Sequence, residues 1–234
     1  MKPRNVAFVA FGSILTAAFI SLGFWQISRL GERRAFNDEL RSRAATRPVD
    51  VSEIPADTGA AHFRRVKLSG TYDFDHQIIL TNRTRNGSPG VNIITPLRRA
   101  GNDTAILLNR GWIYAPDGMT VDLSKWREPV SVSGAEGFVE NFSHRVGEPK
   151  LPRHTIAYRW MDHGVLSGRF PYPIASFFVV MIADGKPQNP NVPPGLDVPP
   201  LDEGSHMNYA IQWFSFAAIS IIGMFLFVRR KHDG

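Results

Sequence analysis

The stretch YAIQWFSFAAISIIGMFLFV, residues 209–228, decides the fold. Its 20 residues carry no charge, and Arg229, Arg230, Lys231 and His232 follow at once. Apart from Gln212 and small hydroxyls it has no polar face, which a helix buried in a water-soluble domain would normally present. An uncharged run of this length with basic residues at its end predicts a membrane-spanning helix. Near the other end of the chain, VAFVAFGSILTAAFISLGFWQI, residues 6–27, adds 22 uncharged residues. At about 1.5 Å per residue it reaches roughly 33 Å, enough for the hydrocarbon core. Lys2 and Arg4 could begin a cleaved signal, but the apolar run is long for one and continues to Trp25.

Two spans put both termini on one side of a bilayer and the intervening residues on the other. Lys and Arg crowd the end of the second span, whereas residues 187–208 contain none, so that end is expected in the cytoplasm. The first span shows the opposite bias, because Arg29, Arg33, Arg34, Arg41, Arg43 and Arg47 follow it. Long loops translocate largely regardless of charge, so the second span governs the prediction. The opening MKPRNVAF contains no Arg- and Ser-rich amphipathic leader. The expected location is a bacterial inner membrane, with both termini cytoplasmic and the central domain periplasmic.

Residues 28–47 alternate charges around Leu30, Phe36 and Leu40 and read as a helical extension of the first span, ended by Pro48. Short alternating runs come next: HFRRVKLSGTY, DHQIILTN, GVNIITPL, TAILLNRGWI, VSVSGAEGFVE and IASFFVVMIAD. Turn-formers such as NGSPG, RRAGND and APDGM separate them. Their spacing predicts an antiparallel sheet closed into a barrel or sandwich, with a minor helix near residues 160–166. Residues 186–205 carry six prolines and predict an extended, semi-rigid arm, part of which could pack on the domain. The expected organisation is a transmembrane helix at 6–27, a helical extension and linker at 28–61, and an extracytoplasmic mainly-β domain at 62–185. A Pro-rich linker at 186–205 and a second transmembrane helix at 206–228 complete it.

The absence of cysteine excludes disulfides, thiolate catalysis and Cys-based metal sites. The net charge of +6 is spread along the chain and clusters beside apolar runs, which favours a lipid bilayer over nucleic acid as partner. No nucleotide-binding loop, HExxH or GxSxG occurs. Asp73, Asp75 and His76 read as a solvated strand end, and His62, His144, His154 and His163 lack the spacing of metal ligands. No enzyme is expected. Arg83 and Arg85 flank a hairpin turn, and Arg110 sits in NRGWI, where a strand meets a loop. Guanidinium groups there could clamp carboxylates or phosphates, or serve as ordinary surface charge.

Polar and aromatic residues gather where the second span begins. His206, Ala210 and Trp213 fall on one helical face with Tyr209 beside them, and Gln212 follows. In an antiparallel pair this end meets Trp25 and Gln26 of the first span, and Ser13, Ala17 and Ser21 offer a small-residue stripe for close packing. The expected product is an interfacial pocket suited to a flat apolar ligand with a polar edge. Haem fits, with His206 on the iron, rings against the macrocycle and Arg83 and Arg110 receiving the propionates. A quinone fits too, hydrogen-bonded by His206 and Gln212. An ordinary aromatic belt, with His206 at the headgroups, remains a third reading.

Four segments then carry a resemblance: LGFWQISRLGER at 22–33, LTNRTRNGSPGVNIITPL at 80–97, LLNRGWIYAP at 107–116 and HMNYAIQWFSFA at 206–217. Together, in this order, they resemble the surfeit-locus family of cytochrome c oxidase assembly factors. The resemblance implies a two-span inner-membrane protein that assists maturation of haem-copper oxidase, with haem a bound transiently at His206. It also implies the oxidase catalytic subunit and other oxidase assembly factors as partners, and draws attention to Trp25, Gln26, Arg110, Gly111 and Trp112. The alternative is a scaffold that holds oxidase subunits or assembly factors without binding haem.

Overall fold

A computed structural model describes residues 3–55, 58–143, 145–183, 190–197 and 201–229. The chain forms two compact units, a helical one from residues 1–41 and 200–234 and a β unit from residues 42–199. His144, Asp184, residues 186–189 and 198–200, and the basic tail after Arg229 lie outside the described residues.

In the helical unit, α1 (Pro3–Ala45) is one continuous helix, of which residues 42–45 are counted with the β unit, and α4 (His206–Arg229) is its partner. Both are long and apolar enough to cross a membrane. They pair antiparallel along a seam of heptad spacing. Thr16, Gly23 and Gln26 are buried on α1, and Ala210 and Ala217, one heptad apart, on α4; beyond the end of α4, buried Leu30, Asn37 and Leu40 continue the same spacing along α1. The contacts run down the pair: Phe24 against Phe214 with ring centres 5.4 Å apart, Thr16 Oγ1 donating to Ser220 Oγ at 2.9 Å, and Phe8 against Phe227 at 4.4 Å.

The close approach uses Gly12, Thr16 and Gly23, one helical step away from the expected stripe. A Cβ on Gly23 would stand 2.6 Å from Phe214 Cε1, and one on Gly12 2.5 Å from Met224 Sδ. Ser13, Ala17 and Ser21 are exposed. A helix apolar on every side carries no moment from which its packed face can be read.

The β unit opens with β1 (Val49–Asp50) and a short helix, α2 (Thr58–Ala61). Next come β2 (Arg65–Tyr72), β3 (Ile78–Arg85), β4 (Ser88–Arg99), β5 (Asn102–Tyr114) and β6 (Ser131–Asn141). The pair β7 (Ala157–Tyr158) and α3 (His163–Ser167) leads to β8 (Ile174–Met181). Neighbouring strands run β2–β6–β8–β5–β4, and β4 returns to β2 through Thr71↔Arg98 and Tyr72↔Leu97. The domain is therefore barrel-like. Closure depends on Gly70, where any Cβ would run into the Arg98 carbonyl; beyond the register shift between Leu68 and Gly70, Thr71 pairs with β6 on one side and β4 on the other.

The sheet is mixed, which corrects the antiparallel expectation. β5 and β8 are parallel, as are β1 with β2 and β3 with β7. Between β5 and β8 the chain passes through β6 and residues 142–173, a connection long enough to restore the strand direction. The β3–β4 hairpin turns through Asn86 at φ +50° and Gly87 at φ +77°, the two positive values that a tight two-residue hairpin requires.

Val66, Leu68, Leu97, Ile106, Leu108, Val139, Phe177 and Val179 fill the ring. Ile79, Val91, Ile93 and Ile113 form a second core, covered by Met119, Val121, Leu123 and Trp126 from the β5–β6 connection. Of the Pro-rich segment, residues 190–197 pack on this unit. Leu196 N–H donates to Met181 O at 2.9 Å, Ala183 N–H to Leu196 O at 3.1 Å, and Asp197 meets Arg85 at 3.4 Å.

Candidate functional site: an imidazole–amide contact on the helix pair

Gln26 is an amide buried on the seam and is 9% exposed. A buried amide needs a partner, and α4 supplies one in its first residue, since His206 Nδ1 lies 2.8 Å from Gln26 Oε1. Facing an amide oxygen, Nδ1 is placed to donate, and in the neutral ring that leaves the lone pair on Nε2. Gly204, at φ +71°, stands beside that edge of the ring; a Cβ there would be 3.5 Å from Nε2. The missing side chain leaves the lone pair room. A neutral imidazole oriented through Nδ1 and open at Nε2 is the arrangement that binds a transition metal.

The approach to His206 is fixed from α1. Asp202 O accepts from Arg33 Nε and from Asn37 Nδ2, each at 3.0 Å, and Glu203 accepts two bonds from Arg34 at 2.9 and 2.8 Å. These bonds dock residues 202–203 on the extension of α1. Around His206 they leave a cleft of about 230 Å³ lined by Arg29, Glu32, Arg33 and Phe36.

One heptad below, Trp213 stacks on Phe19 with ring centres 5.9 Å apart and lies edge-on to Phe216 at 6.0 Å. These rings, with Leu15 and Ile219, line an apolar groove of about 420 Å³. On α1, Leu15, Phe19, Gln26, Arg29, Arg33 and Phe36 share one stripe, so the groove, the imidazole and the basic cleft follow one another along one side of the pair.

Of the residues expected at this site, the structure brings together His206 and Gln26 and puts Trp213 on the same side two turns away. Trp25, Tyr209 and Gln212 are exposed. Trp25 is turned about 100° from Gln26, and Tyr209 about 60° from His206, by helical geometry alone. Arg29 and Arg33 were missed; their spacing of three and seven residues from Gln26 is the signal that could have found them.

Arg83 and Arg110 belong to the β unit. Arg110 is 3% exposed, donates to Trp126 O at 2.6 Å and Glu128 O at 2.7 Å, and lies over Tyr72 and Phe74 at 4.6 and 5.2 Å. Burial lowers its pKa, yet an arginine stays charged. Its guanidinium is a structural clamp inside the domain, where surface chemistry was expected. Arg83 Nη2 donates to Arg159 O at 2.8 Å, while its buried Nε has no partner among the described residues. Burial and then the neighbouring Arg145 lower its pKa.

The NRGW segment also acts structurally. Gly111, at φ +141°, lets the backbone pass the Pro194 carbonyl, Trp112 N–H donates to Pro194 O at 3.2 Å, and Trp112 Nε1 donates to Arg83 O at 3.0 Å. Among the described residues no group of three or more His, Asp or Glu side chains could hold a metal ion.

Fold and site thus define a class, a membrane protein in which a barrel-like β domain is flanked in sequence by two apolar helices, with an oriented histidine opening the second. The chain belongs to the SURF1 family, which it matches over residues 13–218. A SURF1-like protein of Rickettsia felis is 25% identical over 99% of this chain and 98% of its own length. A SURF1-like protein of Monosiga brevicollis is 26% identical over 90% of this chain and 83% of its own. Surfeit locus protein 1 of Mus musculus is 23% identical over 93% of this chain and 74% of its own. The SURF1 family is a family of assembly factors linked to cytochrome oxidase.

Proposed function

We propose that this protein assists assembly of haem-copper cytochrome c oxidase in a bacterial inner membrane by holding haem a on His206 at the outer membrane surface, for insertion into the catalytic subunit. The observation that carries the reading is the 2.8 Å contact between His206 Nδ1 and Gln26 Oε1, which favours the tautomer with Nε2 open to a metal. Trp213 and Phe19 offer a ring-stacking wall beside it. The apolar groove below suits the long hydrocarbon tail that haem a carries and haem b lacks.

One neutral ligand from a half-exposed histidine supports binding that is transient, as a donor site needs. The membrane orientation rests on the basic residues that follow the second span.

The test is an absorption spectrum of the full chain purified after co-production with the enzymes of haem a synthesis. A Soret band is expected in the wild type and absent in His206→Ala of equal yield and helix content. Gln26→Leu, which removes the partner of Nδ1, should weaken haem affinity by about 10- to 100-fold. No haem in the wild type, with oxidase assembly intact in His206→Ala, would leave the haem-free scaffold as the reading.

A further inference from the structure

The cleft around His206 carries two guanidinium groups, and the haem reading as it stands gives them no role. Arg33 donates through Nε to Asp202 O, and its guanidinium carbon lies 5.5 Å from the Phe36 ring centre. Its two terminal amino groups make no hydrogen bond among the described residues. Arg29 donates to Glu32 at 2.6 Å, in a pair more than half exposed. The cleft lining therefore holds two positive charges against one negative. Arg29 and Arg33 lie three and seven residues beyond Gln26, about 4.5 and 10.5 Å further along the helix axis. That is within the reach of the propionate arms of a macrocycle centred on Nε2.

We propose that Arg29 and Arg33 form a carboxylate-binding subsite that takes the haem propionates, with Glu32 acting against it as an internal competitor for Arg29. The subsite rests on the haem reading and deepens it. The Nε bond to Asp202 O and the Phe36 ring hold the Arg33 plane, so its free Nη edge meets a carboxylate as a pre-set fork, which a lysine could not offer. Charge decides the orientation of the ligand: the carboxylate edge turns toward Arg33, and the opposite, apolar edge turns down the stripe toward Phe19 and Trp213. Glu32 makes the subsite weaker than two free arginines would be, in keeping with a site that must release its ligand.

The experiment compares haem a with haem a dimethyl ester, whose propionates are uncharged, on the full chain in detergent. Wild type is expected to bind the free acid at least about tenfold more tightly than the ester, the scale of one charge-assisted contact. Arg33→Gln should remove most of that difference: it loses the Asp202 bond as well as the fork, so both forms weaken, and the acid weakens about tenfold more than the ester. Glu32→Gln should act in the opposite direction, tightening the acid alone, and it decides the matter if Arg33→Gln does not fold. Equal affinity of wild type for acid and ester, or a Glu32→Gln chain that binds the acid no better, overturns the subsite and leaves His206 as haem ligand. A wild type that binds neither form overturns the haem reading, and the subsite with it.

Discussion

Arg110 shows how much a single residue type can leave unsaid. Its guanidinium lies in the β unit, committed to Trp126 O and Glu128 O and covered by Tyr72 and Phe74. Removing it strands two carbonyl oxygens and opens space beneath two rings. Arg110→Met should therefore cost about 2–4 kcal/mol of stability. Arg110→Lys should recover only part of that, because an ammonium cannot fork between two carbonyls. Thermal unfolding of the full chain in detergent, followed by circular dichroism, checks both; an unchanged melt in Arg110→Met would remove the clamp. In the sequence, the strand and its junction with a loop were legible at NRGWI, but the direction of Arg110 was not. Residues 105–110 of β5 are buried on both faces, so alternation no longer separates inside from outside. His206 was legible as a polar residue opening an apolar helix. Gln26 was legible as one of the residues that end meets, but the seam register was needed to single it out from Trp25 as the partner of His206.

Register is also what governs the helices as elements. Both were legible from the lengths of their uncharged runs, and Pro48 marked the end of α1 to within three residues. Their facing surfaces were hidden, because a segment surrounded by lipid carries apolar residues on every side. Gly23 and Gly31 separate packing from propensity. A Cβ on Gly23 would meet the Phe214 ring, whereas one on Gly31 meets nothing within 4 Å. Gly23→Ala should lower the stability of the pair by about 1–3 kcal/mol through overpacking. Gly31→Ala should raise it by up to about 1 kcal/mol through helix propensity. Because Gly23 precedes Gln26 by one turn, Gly23→Ala should also disturb the Gln26–His206 contact and, on the proposed function, weaken haem retention, while Gly31→Ala leaves it intact. Melting curves and haem content of the two variants check this, and equal behaviour would place the close approach elsewhere. Among the strands, the hairpin at Asn86–Gly87 was legible from its residues. The parallel pairing of β5 with β8 was not, since it depends on residues far apart in the chain.

For the whole molecule, the decisive contrast is where apolar side chains remain exposed. On α1 and α4 they are many, including Phe8, Phe11, Ile14, Phe24, Ile211, Ile219, Ile222 and Phe225. On the β unit they are few, chiefly Tyr114, Val130, Val146 and Val165. A surface of the first kind suits lipid, and one of the second kind is compatible with water. Both helices end the apolar stretch in basic residues, but with opposite bias, so charge alone leaves the side of the membrane to be measured. The chain has no cysteine, which makes a single introduced thiol a clean reporter. Asp103, exposed at the start of β5, tolerates such a change without touching either core. In spheroplasts, Asp103→Cys is expected to react with a membrane-impermeant maleimide as fully as after lysis. Labelling only after lysis would put the β unit in the cytoplasm and His206 at the inner surface, where a haem handed to the outer half of an oxidase could not start. Labelling in intact spheroplasts would instead align the oriented imidazole, the basic cleft above it and the apolar groove below it with one direction of entry, from the lipid toward the outer face.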